Sequence, residues 1–220
     1  MTLKLCGFSA SNYYNQIKLQ LLEKQVPFEE EMVKTGSTDP VVLERSPMGK
    51  VPFLDTGVGC ISESLACAEY LEAQYPQHAL LPSDPFAAAK VRELVVYIEL
   101  HLELVARELY TEAYFGGKVS DAAKERARKL LVRGVQAFAR LAIFRPFVAG
   151  DQFTLADCAA IVHLPLVSGA TKIIYGEDLL AALPIKDYMK KMGERPAVAK
   201  VNSDRKEDTL RMMAAAKAGS

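Results

Sequence analysis

Three short stretches of this chain carry residue types that suit one small ligand. In the first, Val51-Pro52 stands at the head of the apolar run Phe53-Leu54, although a proline cannot donate to a strand ladder. A cis peptide bond would explain it, by turning the Val51 N–H and C=O toward an extended peptide partner as another strand would. A trans proline at a strand edge is the alternative. In the second stretch, Glu63-Ser64 opens a helix. The unpaired N–H groups of a helix start attract a carboxylate, to which the Ser64 hydroxyl adds a donor, while Glu63 can meet an adjacent ammonium. Together they match an α-amino-acid head group. Equally, Ser62 or Ser64 could cap the helix while Glu63 complements its dipole. In the third stretch, Ser9, Ser11, Asn12, Tyr13 and Tyr14 follow a first strand. A hydroxyl here could donate to a ligand sulfur, and such a donor raises the fraction of reactive thiolate. Alternatively, Ser11 or Asn12 caps the next helix.

These stretches need elements to hold them. Leu3 to Phe8 reads as a strand. The spacing of Ile17, Leu21 and Leu22 predicts a helix over Tyr14 to Gln25, interleaved with polar Gln16, Lys18, Gln20, Glu23 and Lys24. Val26 to Val33 reads as a second strand, parallel to the first through a right-handed crossover. A short helix, the hairpin of Val51 to Asp55 with Val58 to Ile61, and a helix over Glu63 to Tyr75 complete a βαβ-α-ββα unit. Gln77 to Pro85 is rich in Pro, Ser and Asp and reads as a linker. Beyond it the apolar period is helical: Val91, Leu94, Val95, Ile98, Leu102 and Val105, then Ala127, Leu130, Leu131, Val135, Phe138 and Leu141. Further helices are predicted from Thr154 to about Ile173, from Leu183 to Gly193 and from Ala197 onward, with a frayed tail from Ala214 to Ser220. The domains are therefore expected at 1–76 (α/β), 77–86 (linker) and 87–220 (all-α).

With 27 basic against 27 acidic residues, no net field draws the chain to nucleic acid or an anionic membrane, and any anion site must be local. No apolar run approaches the ~20 residues of a membrane span, and Met1 to Gly7 lacks a signal-peptide pattern. Cys6, Cys60, Cys67 and Cys158 form no CxxC, and His78, His101 and His163 have no metal-ligand spacing, so no metal is expected. A reducing cytoplasm fits.

The order and spacing of the hydroxyl loop with Ser11, of Ser46-Pro47-Met48-Gly49-Lys50-Val51-Pro52 and of Glu63-Ser64 resemble the cytosolic glutathione transferase superfamily, of a serine-type, bacterial-like class. In the second half, Gly150-Asp151-Gln152-Phe153-Thr154-Leu155-Ala156-Asp157 looks like the family's buried capping segment, in which Thr154 and Asp157 would satisfy each other's backbone N–H groups.

The resemblance implies a thioredoxin-like domain that holds glutathione as co-substrate, an all-helical domain forming the second-substrate site, and a homodimer. Val51 and Pro52 would meet the cysteinyl backbone, Glu63 and Ser64 the γ-glutamyl end, and Lys50 and Lys34 the glycyl carboxylate. Ser11 would stabilise the thiolate, with Ser9, Asn12, Tyr13 and Tyr14 as competitors. His101, Arg107, Tyr110 and Tyr114, on a helix over Ala87 to Phe115, would face a small electrophile. Conjugation and detoxification are the implied activity. A glutathione-dependent isomerase or dehalogenase, or a non-catalytic binding protein, are the alternatives.

Overall fold

The computed structural model describes residues 2–218 and divides into two compact units. The first comprises Met1–Leu80 together with Gly193–Ser220, the second Leu81–Met192.

The first unit is thioredoxin-like. Its strands β1 (Lys4–Gly7), β2 (Glu29–Met32), β3 (Phe53–Asp55) and β4 (Cys60–Ser62) form one sheet in the order β2-β1-β3-β4. β1 and β2 run parallel and the other pairs antiparallel. Helices α1 (Asn12–Glu23), α2 (Pro40–Arg45) and α3 (Ser64–Gln74) alternate with the strands as the hydrophobic pattern predicts. Leu5, Ile17, Leu19, Leu21, Phe53, Leu54 and Leu71 are fully buried.

Polar residues along α1 and at its C-cap are themselves buried: Gln16, Lys18, Gln20 and Lys24. Burial is tolerable because each charge is met. Lys24 pairs with Glu72 of α3 at 2.9 Å, and Lys18 lies 2.7 Å from both Glu30 and Asp204. Asp204 belongs to the final helix, α10 (Pro196–Ala218), which therefore sits in the first unit rather than in the helical one. Arg195, just before α10, adds a bidentate pair to Glu23 at 2.9 and 2.6 Å. The tail is helical through Ala218, not frayed; Gly219 and Ser220 lie outside the described residues.

In the second unit the stretch read as one helix from Ala87 to Phe115 is broken into α4 (Pro85–Val96), a π-helical segment Tyr97–Glu103, α5 (Leu104–Arg107) and α6 (Tyr110–Phe115). The linker ends early because Asp84 caps α4, accepting from the Ala87 N–H at 2.8 Å, with Pro85 at the first helical position. Gly116 closes α6 in a left-handed conformation. α7 (Asp121–Leu141), α8 (Leu155–Tyr175) and α9 (Ile185–Met192) follow.

α8 overturns the expectation about apolar runs, since by length and composition it could cross a membrane. More than half of its apolar window is buried inside the unit, as suits a central core helix. Its N-terminus carries the reciprocal Thr154–Asp157 capping box.

α8 also buries His163 completely. Burial pushes its imidazole down to about 4, against a smaller upward pull from Glu103. Between that value and the ordinary 6.5 the folded protein binds fewer protons than the unfolded chain. Stability is thus intact above the ordinary value and lost as pH falls through the folded one. In a pH series of thermal melts, His163→Gln is expected to flatten that part of the acid limb.

Candidate functional site

One rung of the sheet organises the three stretches: Cys6 of β1 lies opposite Phe53 of β3, and Phe53 opposite Ser62 of β4. The hydroxyl loop leaves β1 just after Gly7, Val51-Pro52 enters β3 just before Phe53, and Glu63-Ser64 leaves β4 just after Ser62. All three therefore emerge at one end of the sheet. Gly7 also pairs with Met32, so Lys34 emerges there too, on the far side of β1. Adjacent strands lie ~4.8 Å apart, which places the loop after β1 and the start of α3 roughly 10 Å from each other.

The Val51-Pro52 peptide is cis, and Val51 lies outside the strand ladder, which begins at Phe53. Its approach is built by a tight turn. The buried Ser46 hydroxyl donates to the Lys50 C=O at 2.8 Å, and the Gly49 N–H to the Ser46 C=O at 2.7 Å. Gly49 has φ +60°, and a Cβ on it would lie 2.1 Å from the Ser37 carbonyl oxygen, so the position requires glycine. The Gly36 and Ser37 N–H groups in turn donate to the Gly49 C=O, which ties the Lys34 loop to the Lys50 loop. Both lysines are exposed. Behind this turn Arg45 reaches Glu31 at 2.6 Å and Asp55 at 3.3 Å, with its guanidinium 4.8 Å from the Phe53 ring centroid. Hydrogen bonding from Arg45 holds the Glu31 carboxyl below its usual range.

Glu63 is the N-cap of α3, so neither Ser62 nor Ser64 holds the capping position. It has φ +72° and makes no side-chain capping bond. A left-handed non-glycine residue costs of order 1–3 kcal/mol and concentrates at functional sites. Its carboxylate is exposed, while Ser64 is buried at the first helical position. The arrangement presents an anion, a hydroxyl and a helix N-terminus together, the chemistry that a zwitterionic head group needs.

In the hydroxyl loop Ser11 is the N-cap of α1, accepting from the Tyr14 N–H at 3.4 Å. Capping and ligand donation are compatible, because the cap uses an oxygen lone pair and leaves the O–H proton available. Tyr14 is committed elsewhere: its hydroxyl donates to Glu30 at 2.5 Å, and burial, then that bond, raise the phenol far above its ordinary range. Ser9 is fixed through its carbonyl, which accepts from Asn15 Nδ2 at 2.7 Å. Asn12 is buried and Tyr13 half-buried.

Neither Cys6 nor Cys67 offers a competing nucleophile. Burial pushes the Cys6 thiol up to about 12, with Glu31 adding to it, and burial pushes Cys67 up to about 12 as well. Among the described residues no three metal-ligating side chains gather.

Within the helical unit, Arg107, Tyr110 and Tyr114 form one row. The Arg107 guanidinium lies 5.5 Å from the Tyr110 ring centroid, and the Tyr110 and Tyr114 rings are 5.2 Å apart. Arg107 is held by the fully buried Glu103 at 2.5 Å. The Tyr114 hydroxyl donates to the Leu166 C=O at 2.6 Å. His101 is exposed, its ring 4.9 Å from Tyr97 on the π-helical segment. Sequence reasoning missed Glu103, Asn15 and the acidic residues of α10. A carboxylate on the buried stripe of a helix is the signal that could have found the last of these.

The glutathione S-transferase N-terminal domain family matches residues 5–79, and the C-terminal domain family matches residues 121–191. A glutathione S-transferase from Pseudomonas putida is 46% identical, the match covering 92% of each chain. A maleylpyruvate isomerase from Ralstonia is 32% identical over 71% of this chain and 78% of its own. The crystal structure of a glutathione S-transferase from Methylobacterium radiotolerans, in complex with glutathione sulfonate, superposes with a TM-score of 0.74 at 25% identity. That superposition covers 91% of this chain and 94% of the other.

Proposed function

The chain belongs to the glutathione S-transferase family and is an enzyme that activates the glutathione thiol for attack on a small electrophile; from that premise we propose which residues do so. The observation that carries the reading is the Cys6–Phe53–Ser62 rung, which brings the three ligand-suited stretches to one end of the sheet. An extended tripeptide spans roughly 10 Å, the same as the distance across those strands.

Glutathione lies across the strand ends. Its γ-glutamyl ammonium pairs with Glu63, and the carboxylate on the same carbon takes the Ser64 hydroxyl and the N-terminus of α3. The cysteinyl backbone pairs with Val51 next to Pro52, and the glycyl carboxylate faces Lys50 and Lys34. This leaves the sulfur toward the loop after β1, where Ser11 donates its O–H proton and stabilises the thiolate. The sulfur lone pair then forms the bond to the electrophilic carbon while the bond to the leaving group breaks and that group departs with the electron pair. In an addition the substrate π bond breaks instead and its far carbon takes a proton from water. Proximity and a stabilised thiolate supply the rate. Arg107, Tyr110, Tyr114 and His101 are assigned to the electrophile.

Ser11→Ala tests the hydroxyl assignment. The thiol of bound glutathione, titrated by its ultraviolet thiolate absorbance, is expected to shift upward by about one pH unit, roughly a tenfold loss of thiolate below the midpoint. Affinity is expected to change little. An unchanged titration would transfer the role to Ser9, Asn12 or Tyr13.

The same site suits an isomerase, a reading favoured by the Ralstonia relative. In that case the thiolate adds to substrate and leaves again, so glutathione is not consumed. Following free thiol during turnover separates the two. We further propose a homodimer working in the cytoplasm in detoxification. The four free cysteines support a reducing compartment.

A further inference from the structure

The loop that carries Ser11 is held from outside its own domain sequence. Asp208, on α10, accepts the Ala10 N–H at 2.9 Å, across 198 positions of the chain. It is 5% exposed. The loop is then gripped at neighbouring points: Ala10 by Asp208, Ser9 by Asn15, and Ser11 by its own N–H donating to the Phe8 C=O at 3.1 Å.

The chemistry of α10 singles this contact out. Val198, Val201, Asp204 and Asp208 follow each other at helical spacing. The first two are buried apolar residues, and the stripe then continues as two carboxylates. Asp204 answers the buried Lys18 and is held on its other side by Lys200 at 2.6 Å. Burial would raise the Asp204 carboxyl, but the two lysines outweigh it and keep it below its usual range. Asp208 answers a backbone N–H in the reactive loop. An apolar side chain at 208 would bury as well but would leave the Ala10 donor unsatisfied. The bonded carboxylate thus sets where the Ala10 peptide lies, and with it the direction of the Ser11 side chain one residue later. α10 itself is anchored to α1 by Lys18–Asp204 and Glu23–Arg195, so the reach of Asp208 is fixed.

We propose that Asp208 is a positioning residue for glutathione activation: it holds the Ser9–Ser11 loop so that the Ser11 hydroxyl points at the sulfur. This rests on the reading that Ser11 stabilises the thiolate. The role needs a hydrogen-bond acceptor at 208, not a charge.

The experiment titrates the thiol of bound glutathione by ultraviolet absorbance in the full chain, with Ser11→Ala as the reference arm. Asp208→Ala is expected to move the titration upward by at least half of the Ser11→Ala shift, while glutathione affinity stays within about twofold. Asp208→Asn, whose amide oxygen still accepts from Ala10, is expected to restore the wild-type titration. A general loss of packing would not be rescued in this way. Asp208→Ser, polar but too short to reach Ala10, carries the same expectation if Asp208→Ala does not fold. A wild-type titration in Asp208→Ala or Asp208→Ser, with Ser11→Ala shifted, overturns the inference and leaves the site reading intact. A Ser11→Ala titration identical to wild type overturns the reading beneath it. An Asp208→Asn titration shifted as far as Asp208→Ala would transfer the effect from the hydrogen bond to the charge and overturn the inference as stated.

Discussion

Replacing Glu63 by glutamine is expected to weaken glutathione binding by about 10- to 100-fold, the worth of one hydrogen bond to a charged group. The expectation follows from what this carboxylate does in the free protein. It caps nothing, it is exposed, and it stands on a residue with φ +72° that precedes α3. Glutamine keeps the shape and the hydrogen-bonding oxygen but loses the charge that an ammonium needs. Because the head group lies far from the sulfur, the loss should appear in affinity, with the rate at saturating glutathione changed by less than about threefold. Titration calorimetry gives the first quantity and saturation kinetics the second. Equal losses in both would place Glu63 in the chemistry of the thiol, against the present assignment. Glu63→Gln should leave folding stability intact, since no intramolecular cap is removed.

Asp157→Ala is expected to act on stability instead, by about 4 kcal/mol or more, which for a protein of this size lowers the melting temperature by roughly 10 °C. The carboxylate is fully buried and receives four hydrogen bonds: from the Val148 N–H at 2.9 Å, the Thr154 N–H at 2.8 Å, the Thr154 hydroxyl at 3.2 Å and the Tyr188 hydroxyl at 2.8 Å. Burial pushes this carboxyl up, and the four donors oppose that shift. Alanine would strand all four donors, two of them backbone groups, and would uncouple the start of α8 from both the preceding loop and α9. Asp157→Asn keeps one accepting oxygen and should fall between wild type and alanine. A melting temperature within about 3 °C of wild type for Asp157→Ala would show that water replaces these bonds, and the capping box would lose its structural standing.

The two variants together separate ligand binding from folding, and both stand at structural features that the sequence declares. Glu63-Ser64, Val51-Pro52 and Thr154–Asp157 were legible because each is local: a helix start, a turn and a reciprocal cap declare themselves within a few residues. The βαβ-α-ββα order was legible for the same reason, since apolar period changes cleanly between Leu3 to Phe8, the helix of Ile17 and Leu21, and the hairpin after Pro52. The break in the helix from Pro85 onward was not. Ile98, Leu102 and Ala106 recur every four residues through the π-helical segment and remain buried, so the widened turn leaves no gap in the apolar pattern.

Long-range polar contacts were the other blind spot. Lys18, Gln20 and Lys24 look like the wet side of an amphipathic helix until α3 and α10 supply Glu72, Ala68 and Asp204 as partners. The choice among Ser9, Ser11, Asn12, Tyr13 and Tyr14 narrowed for the same reason. Only the fold reveals that Tyr14 spends its hydroxyl on Glu30, whereas Ser11 caps a helix and keeps its proton. Asp208, far along the chain from Ala10, belongs to this class of contact.

Central to the account is that glutathione binds across the strand ends as a thiolate. Calorimetric titration of glutathione into the wild-type protein at neutral pH, repeated in buffers of different ionisation enthalpy, tests both halves at once. The expected result is saturable binding with a heat that varies with the buffer, because the thiol, ordinarily near pKa 8.5, gives up its proton to the buffer on binding. Binding whose heat is the same in every buffer would contradict the thiolate, and the absence of saturable binding at millimolar glutathione would contradict the site itself.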